Sequence, residues 1–186
     1  ADHKGLVTYH LKFMEAVDLP LILYNIPHRT LVNMQPETVA EIVDRSGGQV
    51  IGIKECAAGI GQVSRLISMV ADRISVICGE EPLLCNATIM GATAAILATS
   101  NVIPRFWKEM LTAIGNDDIA KAVQMHLDIQ PFLSTVFSES NPGPLKAALK
   151  HAGIDCGDAL PPLHAPEKAV AEKLAREMQR IIKWWN

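Results

Sequence analysis

Long hydrophobic runs are missing from this chain. No stretch approaches the ~18 uninterrupted apolar residues that a membrane-spanning helix requires, so no membrane partner is expected. Cysteine is sparse: residues 56, 78, 85 and 156 form neither a CxxC pair nor a Cys/His spacing suited to zinc. Reduced thiols of a cytoplasmic protein are the natural reading. Histidines 3, 10, 126, 151 and 164 share no ligand spacing, and no metal site is assigned. A surplus of positive charge is also absent. With 17 Lys and Arg against 20 Asp and Glu, and a pI near 6.1, no basic field exists to attract nucleic acid. The phosphate-cradling GxxxxGK[ST] loop and the GxSxG nucleophile elbow do not occur, and no secretory leader is read at the N-terminus.

What is present suits a globular fold. The 186 residues are 49% hydrophobic and 20% charged, enough for one sizeable core. Two periodicities alternate along the first hundred residues. Leu6, Tyr9, Phe13, Met14 and Val17 recur at helical spacing, already in step a few residues from Ala1, as though continuing a longer chain. Strand-like runs follow at 19–25, 50–54, 74–78 and 94–98. Helices are expected between them, over 35–45, 62–71 and 82–90, the first opened by Pro36 and Glu37 and stopped by Ser46-Gly47-Gly48. Such βα units imply a parallel sheet with helices outside it. Four units make half of an eight-fold barrel or a small open sheet, and the pattern alone does not choose. Beyond Thr99 the signals are helical, over 104–115, 117–136, 143–152 and 166–184, with Asp117 the expected N-cap of the second.

Polar groups gather at the strand ends: Tyr24-Asn25, Lys54-Glu55, Gly79-Glu80 and Thr99-Ser100-Asn101. In parallel α/β folds the functional site lies at that edge. Lys54 ends one strand and Tyr24 ends the strand before it. An amine freed of its proton attacks a ketone, and a neighbouring phenol relays protons, which is the pairing that Schiff-base chemistry requires. Taken singly, each residue has an ordinary alternative. Lys54 reaches solvent or pairs with Glu55, and Tyr24 is a half-buried aromatic with its hydroxyl at the rim. Arg29, after Pro27 and His28, offers a planar fork for a substrate carboxylate or is a solvated surface arginine. Trp107, Trp184 and Trp185 read as packing residues, with an interface patch at the Trp184-Trp185 tail the alternative.

Three segments carry a resemblance: Leu23-Tyr24-Asn25-Ile26-Pro27, Ile51-Gly52-Ile53-Lys54-Glu55 and Ser140-Asn141-Pro142-Gly143-Pro144-Leu145-Lys146. Together, in this order and spacing, they resemble the dihydrodipicolinate synthase and N-acetylneuraminate lyase family of Schiff-base aldolases. The resemblance implies a (β/α)8 TIM barrel with C-terminal helices. Residues 1–102 would form its second half, strands five to eight, and residues 103–186 the last barrel helix and the helical extension. It implies an imine between Lys54 and pyruvate, proton transfer by Tyr24, and a pyruvate pocket lined by Gly79 and Ile96. Arg29 would hold the carboxylate of the aldehyde partner, L-aspartate 4-semialdehyde, as in the synthase branch of the lysine and diaminopimelate route. No cofactor is required, because the imine itself is the electron sink. The family implies a homotetramer or dimer. Leu31 stands where the synthases usually carry glycine, which leaves open a lyase or dehydratase acting on a sugar-derived 2-keto acid. The family's first four βα units have no counterpart here, which leaves open a non-catalytic fragment.

Overall fold

The computed structural model describes residues 1–184 and gathers the chain into two compact units, Ala1–Ile96 and from Leu97 onward. The first unit runs α1 (His3–Ala16), β1 (Leu21–Asn25), α2 (Pro27–Thr30), α3 (Pro36–Arg45), β2 (Val50–Glu55), α4 (Ile60–Val70), β3 (Ser75–Cys78), α5 (Leu84–Ile89) and β4 (Ala94–Ala95). The strands are all parallel, in the order β1-β2-β3-β4. Each strand therefore lies beside the next one in the chain. An open doubly wound sheet reverses its order at a switch point; this one does not, and the progression is that of a barrel wall.

Its core sits between the sheet and the helices. Val39, Ile42 and Val43 of α3 and Leu66 and Val70 of α4 pack against Leu23, Val50, Ile53 and Val76. Pro36 starts α3 with its ring at the first turn, and Gly47 and Gly48 end it at φ 60° and 90°, a conformation that costs glycine little. A one-turn helix, α2, follows β1 because Pro27 at the first helical position has φ preset for it. The helix expected over 82–90 begins as a 3₁₀ turn, Glu81–Leu83, and the fourth strand shortens to Ala94–Ala95.

Strand alternation separates two polar layers. Asn25 and Glu55 are register partners, and both side chains are buried on the face that carries Leu23 and Ile53, toward the helices. The Asn25 amide donates to both Glu55 oxygens (2.9 and 3.1 Å) and to Asn33 Oδ1 (2.8 Å), and Asn25 Oδ1 accepts from the Met34 N–H (3.0 Å). Gln62 bonds to Asn33, Met34 and Glu55, and the Ala57 N–H also donates to Glu55 (2.6 Å). Burial pushes the Glu55 carboxyl up, and these donors offset that only in part. The sequence placed Asn25 and Glu55 at the functional rim; they are instead a latch between β1, β2 and the helix layer.

The second unit is helical: α6 (Pro104–Gly115), α7 (Ile119–Val136), α8 (Gly143–His151) and α9 (Lys168–Ile181). Central α7 buries Met125, Ile129, Phe132 and Leu133 and packs against α6, α8 and α9. Its N-cap is Asp118, whose carboxylate accepts from the Lys121 N–H, and not Asp117, which adopts φ 63° in the turn. Trp107 donates from Nε1 to Thr99 Oγ1 (3.1 Å), and Trp184 meets Phe106 edge-on at 5.5 Å. Trp185 of the expected tail pair lies outside the described residues. No described helix is long and apolar enough to cross a membrane.

Asn25→Ala removes the amide group that bonds both Glu55 oxygens and strands the Met34 N–H. The expected loss is about 2–4 kcal/mol at neutral pH, read from urea midpoints. A carboxyl whose folded pKa is raised costs nothing below its unfolded value and destabilises as pH rises through the folded one. Removing donors raises it further, so the deficit relative to wild type opens as pH climbs past the already raised wild-type folded value; a deficit that shrinks with rising pH contradicts the latch.

Candidate active site

The register Tyr24↔Lys54 places these two side chains abreast on the face opposite the latch. Lys54 Nζ donates to the Tyr24 hydroxyl at 3.3 Å and lies 4.4 Å from the centre of its ring. The alternative in which Lys54 pairs with Glu55 is excluded by the pleat, which turns Glu55 to the helix layer. Tyr24 is 48% exposed and Lys54 half-buried, so a small molecule reaches both. Ile22 and Ile96 are exposed apolar neighbours on the same sheet face.

Backbone hydrogen bonds continue past the strand ends and fix the rest of this edge. Cys56 N–H donates to Asn25 O (2.8 Å), Gly79 N–H to Glu55 O (2.9 Å), and Ile96 N–H to Cys78 O (3.0 Å). The N–H groups of Gly79 and Ile96 are thus spent within the sheet. What these two residues offer a ligand is a carbonyl and, for Ile96, an apolar side chain. Gly79 is glycine for a steric reason. A Cβ there would stand 2.8 Å from Lys54 Cε and 3.1 Å from Glu55 O, and would overlap the Cys56 sulfur.

Arg29, in α2, is exposed, and among the described residues no hydrogen bond or ion pair engages its side chain. No hydrogen bond, ion pair or cation–π contact among the described residues joins it to the Lys54–Tyr24 pair. Leu31 caps α2 in the left-handed region at φ 57°, donating its N–H to Pro27 O (2.9 Å), with its side chain 89% exposed. The loop keeps the turn a glycine would adopt freely, at a steric cost to leucine. Thr99, Ser100 and Asn101 form a 3₁₀ turn of the second unit, and the side chains of Ser100 and Asn101 bond to their own backbone neighbours at Leu97 and Ala98.

One group at this edge escapes sequence reasoning as a site residue, and a second, Glu80, reads there only as part of a polar strand end. Cys56, two residues beyond Lys54, returns to the same face by strand period, and it is buried beside Gly79. Glu80 follows Gly79, and its carboxyl lies close enough to the Cys56 thiol for the two to influence each other's protonation. Burial pushes the Cys56 thiol up to about 12 and, with the nearby Glu81 charge, also raises Glu80. A depression of about 650 Å³ opens at the opposite, N-terminal strand edge, lined by residues such as Asp44, Arg73 and Ser75. It holds none of these groups, and in parallel barrels chemistry gathers at the C-terminal edge.

Comparison with known proteins identifies the family and the fold. The family model described as the dihydrodipicolinate synthetase family matches residues 1–182. The 4-hydroxy-tetrahydrodipicolinate synthase of Methanothrix thermoacetophila is 34% identical over 182 residues, 97% of this chain and 60% of the relative. Dihydrodipicolinate synthase from Thermotoga maritima superposes with a TM-score of 0.92 at 28% identity, over 97% of this chain and 62% of that one. The chloride-inhibited enzyme from Acinetobacter baumannii, complexed with pyruvate, gives a TM-score of 0.89 at 28% identity, over 99% and 62%. The chain thus spans about 60% of the length of the curated relatives it matches. It belongs to the dihydrodipicolinate synthetase family, and its sheet and helices form the C-terminal half of an α/β barrel.

Gly79→Ala is expected to cost about 1–3 kcal/mol by overpacking, and Cys56→Ala in the same chain to recover part of it, by chemical unfolding. No recovery means the sulfur is not the obstacle. Leu31→Gly relieves the left-handed leucine and is expected to raise stability by about 0.5–1 kcal/mol; a lower urea midpoint contradicts that.

Proposed function

We propose that this chain supplies the imine-forming half of a pyruvate-dependent class I aldolase active site, with Lys54 the nucleophile and Tyr24 its proton shuttle. The observation that carries this reading is the Lys54 amine 3.3 Å from the Tyr24 hydroxyl at the C-terminal edge of the sheet. Lys54 adds to the ketone of pyruvate, Tyr24 helps the carbinolamine lose water, and the imine gives up a methyl proton to become an enamine. The enamine attacks the aldehyde partner and forms the carbon–carbon bond. Gly79 lets the Lys54 stem and the Cys56 sulfur pack against its backbone, and Ile96 gives the adduct an apolar flank.

The family supports the substrate pair. The relatives are named as 4-hydroxy-tetrahydrodipicolinate synthases, and one neighbour was solved with pyruvate. On this reading the aldehyde is L-aspartate 4-semialdehyde, and the product enters the lysine and diaminopimelate route in the cytoplasm. Arg29 is the carboxylate clamp: an exposed guanidinium with no partner of its own among the described residues is available to a charged substrate. The working assembly is a homo-oligomer, and the division near residue 102 separates its barrel part from the helical extension.

Intact mass after incubation with pyruvate and borohydride tests the reading. A reduced adduct mapping to Lys54, absent in Lys54→Ala, is the expected result. No adduct on the wild-type protein sinks the aldolase class. Arg29→Ala is expected to keep the adduct and to raise the KM for the carboxylate-bearing aldehyde about tenfold or more. An unchanged KM removes Arg29 from the clamp, and turnover with sugar-derived 2-keto acids instead redirects the substrate assignment.

A further inference from the structure

The Lys54 side chain is held at two points. At its tip, Nζ donates to the Tyr24 hydroxyl at 3.3 Å and lies 4.4 Å from the ring centre. One carbon back, Cε passes over the backbone of Gly79. A Cβ on Gly79 would stand 2.8 Å from that carbon, and the Cys56 sulfur already fills the same spot. Sulfur and lysine stem therefore lie side by side against one Cα. Both walls of this slot hang from the sheet: the Cys56 N–H donates to Asn25 O (2.8 Å) and the Gly79 N–H to Glu55 O (2.9 Å). Cys56 itself is only 2% exposed, so its sulfur has little room to turn away.

We infer that Cys56 and Gly79 form a slot for the Lys54 stem, and that Cys56 is a positioning residue for imine formation; this rests on the Schiff-base reading above. A lysine amine rides on a flexible four-carbon stem. Attack on a ketone needs that amine about 3–3.5 Å from the carbonyl carbon and correctly aligned. The slot removes conformational choice at Cε and leaves Nζ directed at Tyr24. Cys56 makes no bond to the reacting atoms in this scheme. Its loss therefore lowers the rate of imine formation and leaves the binding of pyruvate alone.

A thiol suits the post. It is small and polarizable, and it packs as an apolar group. Burial pushes it up to about 12, so it stays neutral at neutral pH and steadies the stem without ion-pairing the amine. A carboxylate in its place would hold Lys54 protonated. A bulkier side chain would push the stem off Gly79. Positions 56 and 79 also share one volume, so a side chain added at 79 takes its room from 56. That coupling makes a prediction that a purely structural role does not.

The test is the rate of borohydride-trapped pyruvate adduct at Lys54 against pyruvate concentration, in the whole chain. It yields a limiting rate and a half-saturating concentration. Cys56→Ala is expected to lower the limiting rate about tenfold with the half-saturating concentration unchanged. Gly79→Ala, whose methyl displaces the stem, is expected to be slow as well. The double variant Gly79→Ala/Cys56→Ala puts that methyl where the sulfur stood, and it is expected to trap faster than either single variant. Circular dichroism checks folding. Should Cys56→Ala not fold, the double variant against Gly79→Ala carries the comparison. A limiting rate unchanged in Cys56→Ala overturns the slot and leaves the Schiff-base reading intact. So does a change confined to the half-saturating concentration, or a double variant no faster than Gly79→Ala. A wild-type protein that forms no adduct overturns both.

Discussion

The parallel pairing of β1 with β2 is the constraint on which the rest of this structure depends. Because Tyr24 pairs with Lys54 and Asn25 with Glu55, one register decision sends four polar side chains to two faces. A slip of one residue would exchange the faces. Lysine and tyrosine would then enter the helix layer, and a carboxylate would take the amine's place in the open. The latch of Asn25, Glu55, Asn33 and Gln62 opposes such a slip, since each of its groups finds partners only in the observed register.

The same register explains the chemical character of the edge. Glu55 is adjacent to Lys54 in sequence yet spends its oxygens on Asn25, Gln62 and the Ala57 N–H. An ion pair between neighbours would hold the amine protonated and occupied. The pleat prevents it, and the amine faces a phenol instead. Successive backbone bonds from Cys56, Gly79 and Ile96 then carry the edge across three more positions, so the site is set by main-chain geometry before side chains contribute. Sites built on strand ends inherit the rigidity of the sheet.

Much of this was legible in the sequence. Apolar runs ending in Tyr24 and Lys54, punctuated by Gly47-Gly48 and Gly79, are enough to read parallel strands with a polar edge, and three segments resemble one family. What stayed hidden was facing. Asn25 and Glu55 looked like rim residues because one-dimensional adjacency does not show that neighbours in a strand point apart. Asp117 looked like the cap of α7 because Asp118 is chemically equal to it; the choice fell to the backbone, which puts Asp117 at φ 63°. Cys56 drew no notice, since a cysteine without a metal spacing carries little signal, although its place two residues beyond Lys54 fixes its face. Leu31, noted as a departure where the synthases usually carry glycine, turned out to retain the left-handed turn at φ 57°.

The most direct test of the central claim, that register brings Lys54 and Tyr24 together as a working pair, is a crystal structure of the protein exposed to pyruvate. The account predicts continuous density from Lys54 Nζ to the keto carbon of pyruvate, with the Tyr24 hydroxyl within hydrogen-bonding distance of the adduct and Glu55 still held by Asn25. Pyruvate bound away from Lys54, or a Lys54 side chain turned from Tyr24 in the occupied site, would contradict it.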